Sequence, residues 1–174
     1  IHWIGTGLSA IPGIKKLILD GHQLTVWNRT VQTAKTSLKN LEVEIREFSI
    51  NDLKKQLNNN DILVSMLPGD WHVPLAKLCL EKQSHFVSSS YISPEMRELN
   101  QPFQDLQLSC VNEVGLDPGI DHAMAHHLVE DLKSRDLDSD ISIDFISYCG
   151  GVPKIPNPFR YKFSWSPAGV LKAL

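Results

Sequence analysis

Apolar positions along the 174-residue chain alternate between two rhythms. Short apolar runs of strand length occur at 1–5 (IHWIG), 23–28 (QLTVWN), 43–48 (VEIREF), 61–66 (DILVSM), 85–89 (HFVSS) and 107–112 (QLSCVN). Between them, 11–20, 31–39, 50–58 and 72–82 carry apolar residues at helical spacing. Ser49 or Asn51 is placed to cap the third of these helices, and Asp70 the fourth. Strands that alternate with helices over short connections predict βαβ units. The expected fold class is therefore α/β, a doubly wound parallel sheet with helices on both faces.

The rhythm changes near residue 117. The string PGIDHAMAHHLVEDLKSR (118–135) predicts one long helix with Pro118 near its first turn. DLDSD then breaks the pattern, 141–148 (ISIDFISY) alternates like a half-buried strand, and 149–159 is a Gly- and Pro-dense loop. A boundary near 136–140 is expected, with a first domain at 1–138 and the beginning of a second α/β domain at 139–174. The chain starts inside an apolar run and stops in AGVLKAL, so it is expected to be the N-terminal portion of a longer polypeptide.

Composition narrows the partners. Hydrophobic residues make up 42% and charged ones 21%, as in ordinary globular proteins. A net charge of −3 gives no electrostatic reason to expect nucleic acid or an anionic membrane. No apolar run reaches the roughly 18–20 residues of a membrane span, and no basic-then-apolar leader is present. Cys79, Cys110 and Cys149 are far apart with no CxxC, which points to reduced thiols and a cytoplasmic setting, with one disulfide left open.

The chemistry begins at Gly5–Thr6-Gly7–Leu8–Ser9–Ala10, a GxGxxA turn. A turn from a first strand into a helix aims backbone N–H groups at the helix N-terminus, where a pyrophosphate fits, and glycines let the backbone approach it. A GxG alone is weak; its place at the head of alternating strands and helices is what the motif requires. At the end of the second strand, an NAD site usually offers Asp or Glu to the ribose hydroxyls. Here Asn28, Arg29 and Thr30 stand there instead. Arg29 brings a planar charged fork suited to a 2′-phosphate, so NADP(H) is the expected cofactor. Leu67 and Pro68 end the fourth strand and are expected to wall that cofactor; His72, just beyond, is given no chemical role.

Three more segments gather polar groups among turns. SSSYISPEM (88–96) sets Ser89, Ser90 and Tyr91 on the rim of the same crevice. NEVGLDPGIDH (112–122) follows the sixth strand and carries Leu116, Asp117 and Asp121. The stretch 148–167 supplies Cys149, Arg160, Tyr161, Lys162, Trp165 and Ser166. Taken singly, each has a plain structural reading, capping for Asp117, Ser93 and Ser166 and packing for Phe163 and Trp165. His122, His126 and His127 share a helix, but without HExxH or a Cys partner they do not read as a metal site.

Together, NEVGLDPGIDH, SSSYISPEM and YCGGVP…NPFRYKFSWSPAGVL closely resemble the saccharopine dehydrogenase family, nearest its glutamate-forming branch. The resemblance covers nearly the whole chain in order and includes Pro12 after the glycine turn. It implies a Rossmann-like domain followed by a mixed α/β domain that binds substrate and forms a homodimer. It implies an NADP(H)-dependent enzyme that joins 2-aminoadipate semialdehyde and glutamate through an imine to saccharopine, or runs the reverse. On the family pattern Thr6, Gly7, Leu8 and Ser9 meet the pyrophosphate, and Asn28, Arg29 and Thr30 meet the 2′-phosphoribose. Leu67 and Pro68 border the path to the nicotinamide, and Ser89 and Leu116 lie beside the cofactor. Ser90, Tyr91 and Asp117 touch cofactor or substrate, Arg160 is a candidate for a substrate carboxylate, and Trp165 and Ser166 close over the cofactor. Tyr91, Asp117 and Cys149 are the candidates for proton handling.

The reaction needs proton transfer for carbinolamine formation and loss of water, and substrate held for hydride delivery. As an acid at neutral pH, Asp117 requires a raised pKa, such as burial beside an apolar ring provides. Where relatives run Gly-Gly-Leu-Pro-Ala-Pro-Glu, this chain has GGVPKIPNP, which removes an acid and introduces Lys154. That departure leaves open a lysine 6-dehydrogenase or a carboxynorspermidine-forming activity. A non-catalytic nucleotide-binding regulator is the reading from another class, and the joint presence of Tyr91, Asp117 and Cys149 argues against it.

Overall fold

The computed structural model describes residues 1–135, 142–148 and 153–163. The chain divides into two compact units, Ile1–Met124 and Ala125–Leu174. The first unit alternates strand and helix: β1 (His2–Ile4), α1 (Ala10–Leu19), β2 (Thr25–Asn28), α2 (Val31–Ser37), β3 (Glu44–Glu47), α3 (Ile50–Gln56) and β4 (Ile62–Ser65). A 3-10 turn at Gly69–Trp71 leads into α4 (His72–Lys82), followed by β5 (His85–Ser88), α5 (Pro94–Glu98), α6 (Asn100–Asp105), β6 (Cys110–Val111) and α7 (Ile120–Lys133).

The strands form one six-stranded sheet in the order β3-β2-β1-β4-β5-β6. Every pair is parallel, with Ile4 level with Trp27 on one side and with Ser65 on the other. Chain direction across the sheet reverses between β1 and β4, and a ligand crevice opens at the carboxyl ends of strands at such a point. The doubly wound fold expected from the strand–helix alternation is therefore the fold observed.

Side-chain alternation along the strands divides the core in two. Trp3 and Val26 pack with Ala10 and Ile14 of α1 and with Leu38 beyond α2. Ile4, Trp27, Leu63 and Phe86 point the other way, against Leu53 of α3, Leu75 of α4 and Phe103 of α6. A helix of seven residues such as α3 is too short to hold alone in water. Burial of Leu53, at about 2 kcal/mol, is what keeps it folded on the sheet. α1 lies close over β1 because Ala10 is small and because Gly13 leaves room: a Cβ at Gly13 would stand 3.1 Å from the Trp3 ring.

The amino end of the sheet is tied by a buried polar chain. The Trp27 indole N–H donates to His2 Nδ1 at 3.1 Å, and His2 Nε2 faces Asp61 at 3.4 Å. Burial lowers the His2 pKa, a pull that Asp61 partly opposes.

Some expectations are corrected. Ser49 does cap α3, accepting from the Asp52 N–H, but α4 begins after Trp71 and Asp70 sits in the 3-10 turn without capping it. The sixth strand is only Cys110–Val111, because Gln107 takes a left-handed turn and the Leu108 N–H is used on the Phe103 carbonyl of α6. The strand expected at 141–148 is not found over 142–148: these residues are exposed and have no neighbouring strand among the described residues to pair with. α5 and α6 were not expected; each is under two turns long, too short for a helical period to show. The boundary expected at 136–140 lies outside the described residues.

Candidate functional site

A loop leaves the carboxyl edge of the sheet after each of its six strands, and the first is the glycine turn. Gly5 donates its N–H to the Trp27 carbonyl at 2.8 Å and adopts φ +97°. A Cβ there would lie 3.2 Å from the Met66 carbonyl oxygen, so only glycine lets the chain pass between β2 and the exit of β4. The Trp3 indole N–H fixes the Gly5 carbonyl at 3.0 Å from below. From Gly7 to Ser9 the loop is exposed: a Cβ at Gly7 meets nothing within 4 Å, and Leu8 is 97% exposed. Ser9 precedes α1, yet its side chain makes no capping hydrogen bond. An open backbone at the N-terminus of a ten-residue helix, with a serine hydroxyl not used for capping, fits a pyrophosphate.

The next loop follows β2, the strand beside β1. Asn28 turns its amide inward, Nδ2 donating to the Thr30 carbonyl at 2.8 Å, which shapes the turn that exposes Arg29 and Thr30. Among the described residues Arg29 pairs with no carboxylate. Across the reversal point, the Met66 N–H donates to the Ile4 carbonyl at 2.9 Å. Leu67 packs on the core while Pro68 is exposed. His72, which has no role in the sequence reading, is buried and reaches back to the Leu67 carbonyl at 2.9 Å. Its ring lies edge-on to Phe86, and burial lowers its pKa.

The last two loops meet each other. The Ser88 hydroxyl donates to Asn112 Oδ1 at 2.8 Å, the Glu113 N–H to the Ser90 carbonyl at 3.1 Å and the Val114 N–H to the Ser88 carbonyl at 3.2 Å. Beyond them the Tyr91 hydroxyl donates to Asp117 Oδ1 at 2.6 Å, a short charge-assisted bond. Ser89 lies under Gly115, where a Cβ would stand 3.5 Å from the Ser89 Cβ. Leu116 is 69% exposed at the tip of this turn. Asp121, which shares this turn, accepts from the Gly119 N–H at 2.7 Å. Asp117 itself is exposed, so the burial beside an apolar ring that the sequence reading required of it is not found among the described residues.

The structure thus brings Gly5–Ser9, Asn28–Thr30, Leu67, Pro68, Ser89–Tyr91, Leu116 and Asp117 to one edge of one sheet. Arg160 lies in the second unit, in a turn closed by its N–H on the Asn157 carbonyl at 3.0 Å. Cys149, Trp165 and Ser166 lie outside the described residues. Cys79 and Cys110 are free thiols; burial pushes Cys79 up to about 12, which keeps it protonated and inert. Among the described residues no three His, Cys, Asp or Glu side chains gather as a metal-binding group, and no helix is long and apolar enough to cross a membrane.

Residues 1–111 match the saccharopine dehydrogenase NADP binding domain, and residues 115–174 match the saccharopine dehydrogenase C-terminal domain. The chain belongs to the saccharopine dehydrogenase family. It is 35% identical over 98% of its length to saccharopine dehydrogenase (NADP(+), L-glutamate-forming) of Pyricularia oryzae, and 37% identical over 98% to that of Saccharomyces cerevisiae. It spans 39% of the length of each of these two relatives. To the mitochondrial alpha-aminoadipic semialdehyde synthase of Rattus norvegicus it is 41% identical over 68% of this chain and 13% of that one. Among solved structures, apo histidine-tagged saccharopine dehydrogenase (L-Glu forming) from Saccharomyces cerevisiae superposes with a TM-score of 0.81 at 36% identity, covering 98% of this chain and 39% of that chain. The glycine turn, Asn28–Thr30, Leu67, Pro68 and Ser89–Tyr91 therefore sit in the NADP-binding domain of a saccharopine dehydrogenase family member, whose cofactor is NADP(H), while Leu116 and Asp117 fall at the start of the stretch matched to the C-terminal domain.

Proposed function

We propose that the chain is the nucleotide-binding part of an NADP(H)-dependent oxidoreductase that makes or breaks the CH–NH bond of saccharopine, interconverting it with 2-aminoadipate semialdehyde and glutamate. The observation that carries this reading is the Tyr91–Asp117 pair, 2.6 Å apart on the same sheet edge as the glycine turn. The names and the identity of the relatives support the substrate assignment.

The residues divide the work. The open backbone of Gly7–Ser9 at the start of α1 would hold the pyrophosphate, and Arg29 with Thr30 the 2′-phosphate. Leu67 and Pro68 would bound the dinucleotide on the far side of the reversal point, with His72 keeping that turn in place. When bound, the nicotinamide supplies the hydride. What remains for the protein is orientation and proton movement: carbinolamine formation and loss of water each require a proton placed on or taken from substrate oxygen or nitrogen. The Tyr91 hydroxyl and the Asp117 carboxylate form a donor–acceptor pair that can pass it. A finer part of the proposal, resting on the sequence reading, is that the intact protein is a homodimer of the cytoplasm.

The test is consumption of NADPH by the intact protein with 2-aminoadipate semialdehyde plus glutamate. Activity with lysine alone, or with the precursors of carboxynorspermidine, and none with that pair would replace the substrate assignment. Tight NADPH binding without turnover of any of these would make the protein a nucleotide-binding regulator.

A further inference from the structure

Glu113 occupies the junction between the two loops that bear Tyr91 and Asp117. Its backbone N–H donates to the Ser90 carbonyl at 3.1 Å, and its side-chain Oε1 accepts from the Ile92 N–H at 3.1 Å. The two bonds bracket Tyr91 on either side. The Glu113 carbonyl faces the other way: a Cβ at Gly119 would lie 2.6 Å from it, so this oxygen packs directly on the turn that presents Asp117. Glu113 holds φ +62°, a region that residues with a Cβ avoid unless their surroundings over-determine it. Three contacts from one residue, two to the tyrosine loop and one to the aspartate turn, supply that determination.

We propose that Glu113 is a positioning residue for the proton-handling pair: its carboxylate pins the Ile92 N–H so that the Tyr91 hydroxyl stays on Asp117. The idea rests on the reading of Tyr91 and Asp117 given above. Glu113 touches neither substrate nor cofactor in this account. A carboxylate accepting a backbone N–H makes a stronger anchor than a neutral group does, and a reacting group displaced by about 1 Å can cost about 100-fold in rate.

The experiment uses the intact protein and four variants: Glu113→Ala, Glu113→Gln, Tyr91→Phe and the double Glu113→Ala/Tyr91→Phe. Hydrogen exchange at residues 90–92 is measured alongside kcat, KM and the Kd for NADPH. In Glu113→Ala the Ile92 amide should exchange faster and kcat should fall about 10- to 100-fold, with NADPH affinity within about twofold. Glu113→Gln, whose amide oxygen still accepts from Ile92, should recover most of the loss. The double variant should be no slower than Tyr91→Phe alone, because both changes remove one function. Unchanged exchange in Glu113→Ala, or a rate loss that simply multiplies that of Tyr91→Phe, overturns the proposal. If Tyr91→Phe is fully active, the proton-handling reading fails instead, and exchange at Ile92 still decides whether Glu113 holds the loop.

Discussion

His72 Nε2 lies 2.9 Å from the carbonyl oxygen of Leu67, and because a carbonyl only accepts, the ring must carry its proton on that nitrogen. The first turn of α4 is thereby fastened to the loop that would wall the dinucleotide. Burial lowers the pKa of His72, as it does that of His2 at the opposite end of the sheet, each from an ordinary 6.5. In the window below that value the unfolded chain binds more protons than the folded one, so folding stability is full above pH 6.5 and declines as pH falls through it. Urea midpoints measured from pH 8 down to about 5 should be flat and then drop. His72→Gln keeps a donor for Leu67 without a titrating ring and should shallow that drop; an unchanged slope would remove His72 from the account.

Cofactor choice should follow Arg29. Arg29→Asp puts a carboxylate where a 2′-phosphate is expected and should raise the Kd for NADPH about 10- to 100-fold, the scale of a lost hydrogen bond to a charged group. NADH should bind no worse. Fluorescence titration with the two nucleotides gives the ratio directly, and an unmoved ratio would mean that Arg29 does not face the ribose.

Two glycines at the same sheet edge should respond in opposite ways. At Gly119 a Cβ would stand 2.3 Å from the Gly115 carbonyl and 2.6 Å from that of Glu113, with φ at +144°. All of these neighbours are backbone, so Gly119→Ala should cost at least about 2 kcal/mol in chemical denaturation. At Gly7 nothing lies within 4 Å. Gly7→Ala should change stability by less than about 1 kcal/mol while weakening NADPH binding, because the added methyl would occupy the face proposed for the pyrophosphate.

Phe86 sits fully buried in β5 against the α4 face of the core. Phe86→Ala should destabilise by about 3–5 kcal/mol, a large part of the total stability of a small domain. A loss under 1 kcal/mol would show that the α4–α6 side of the sheet collapses to fill the space.

The alternation of strands and helices was legible because buried parallel strands are nearly all apolar and the helices between them show one apolar face. The glycine turn was legible through its place after β1, and Ser49 through its spacing to the third helix. Glu113, His72 and Gly13 were not. Their roles come from contacts with Ile92, Leu67 and Trp3, and no short-range pattern announces which backbone a side chain will reach. Ser93–Pro94, with the Met96 N–H donating to the Ser93 hydroxyl, did carry a helix-start signal for α5, but a five-residue helix left no period to support it.

The neighbours β1 and β4, with His2 level with Leu63, bring the two ends of a long stretch of chain together at the centre of the sheet. Each half of the dinucleotide crevice is thus contributed by a separate βαβ half, and neither half alone offers both walls. A ligand spanning that seam has affinity only for the assembled sheet, so it should slow the rate at which the halves part and leave the rate at which they first find each other unaltered.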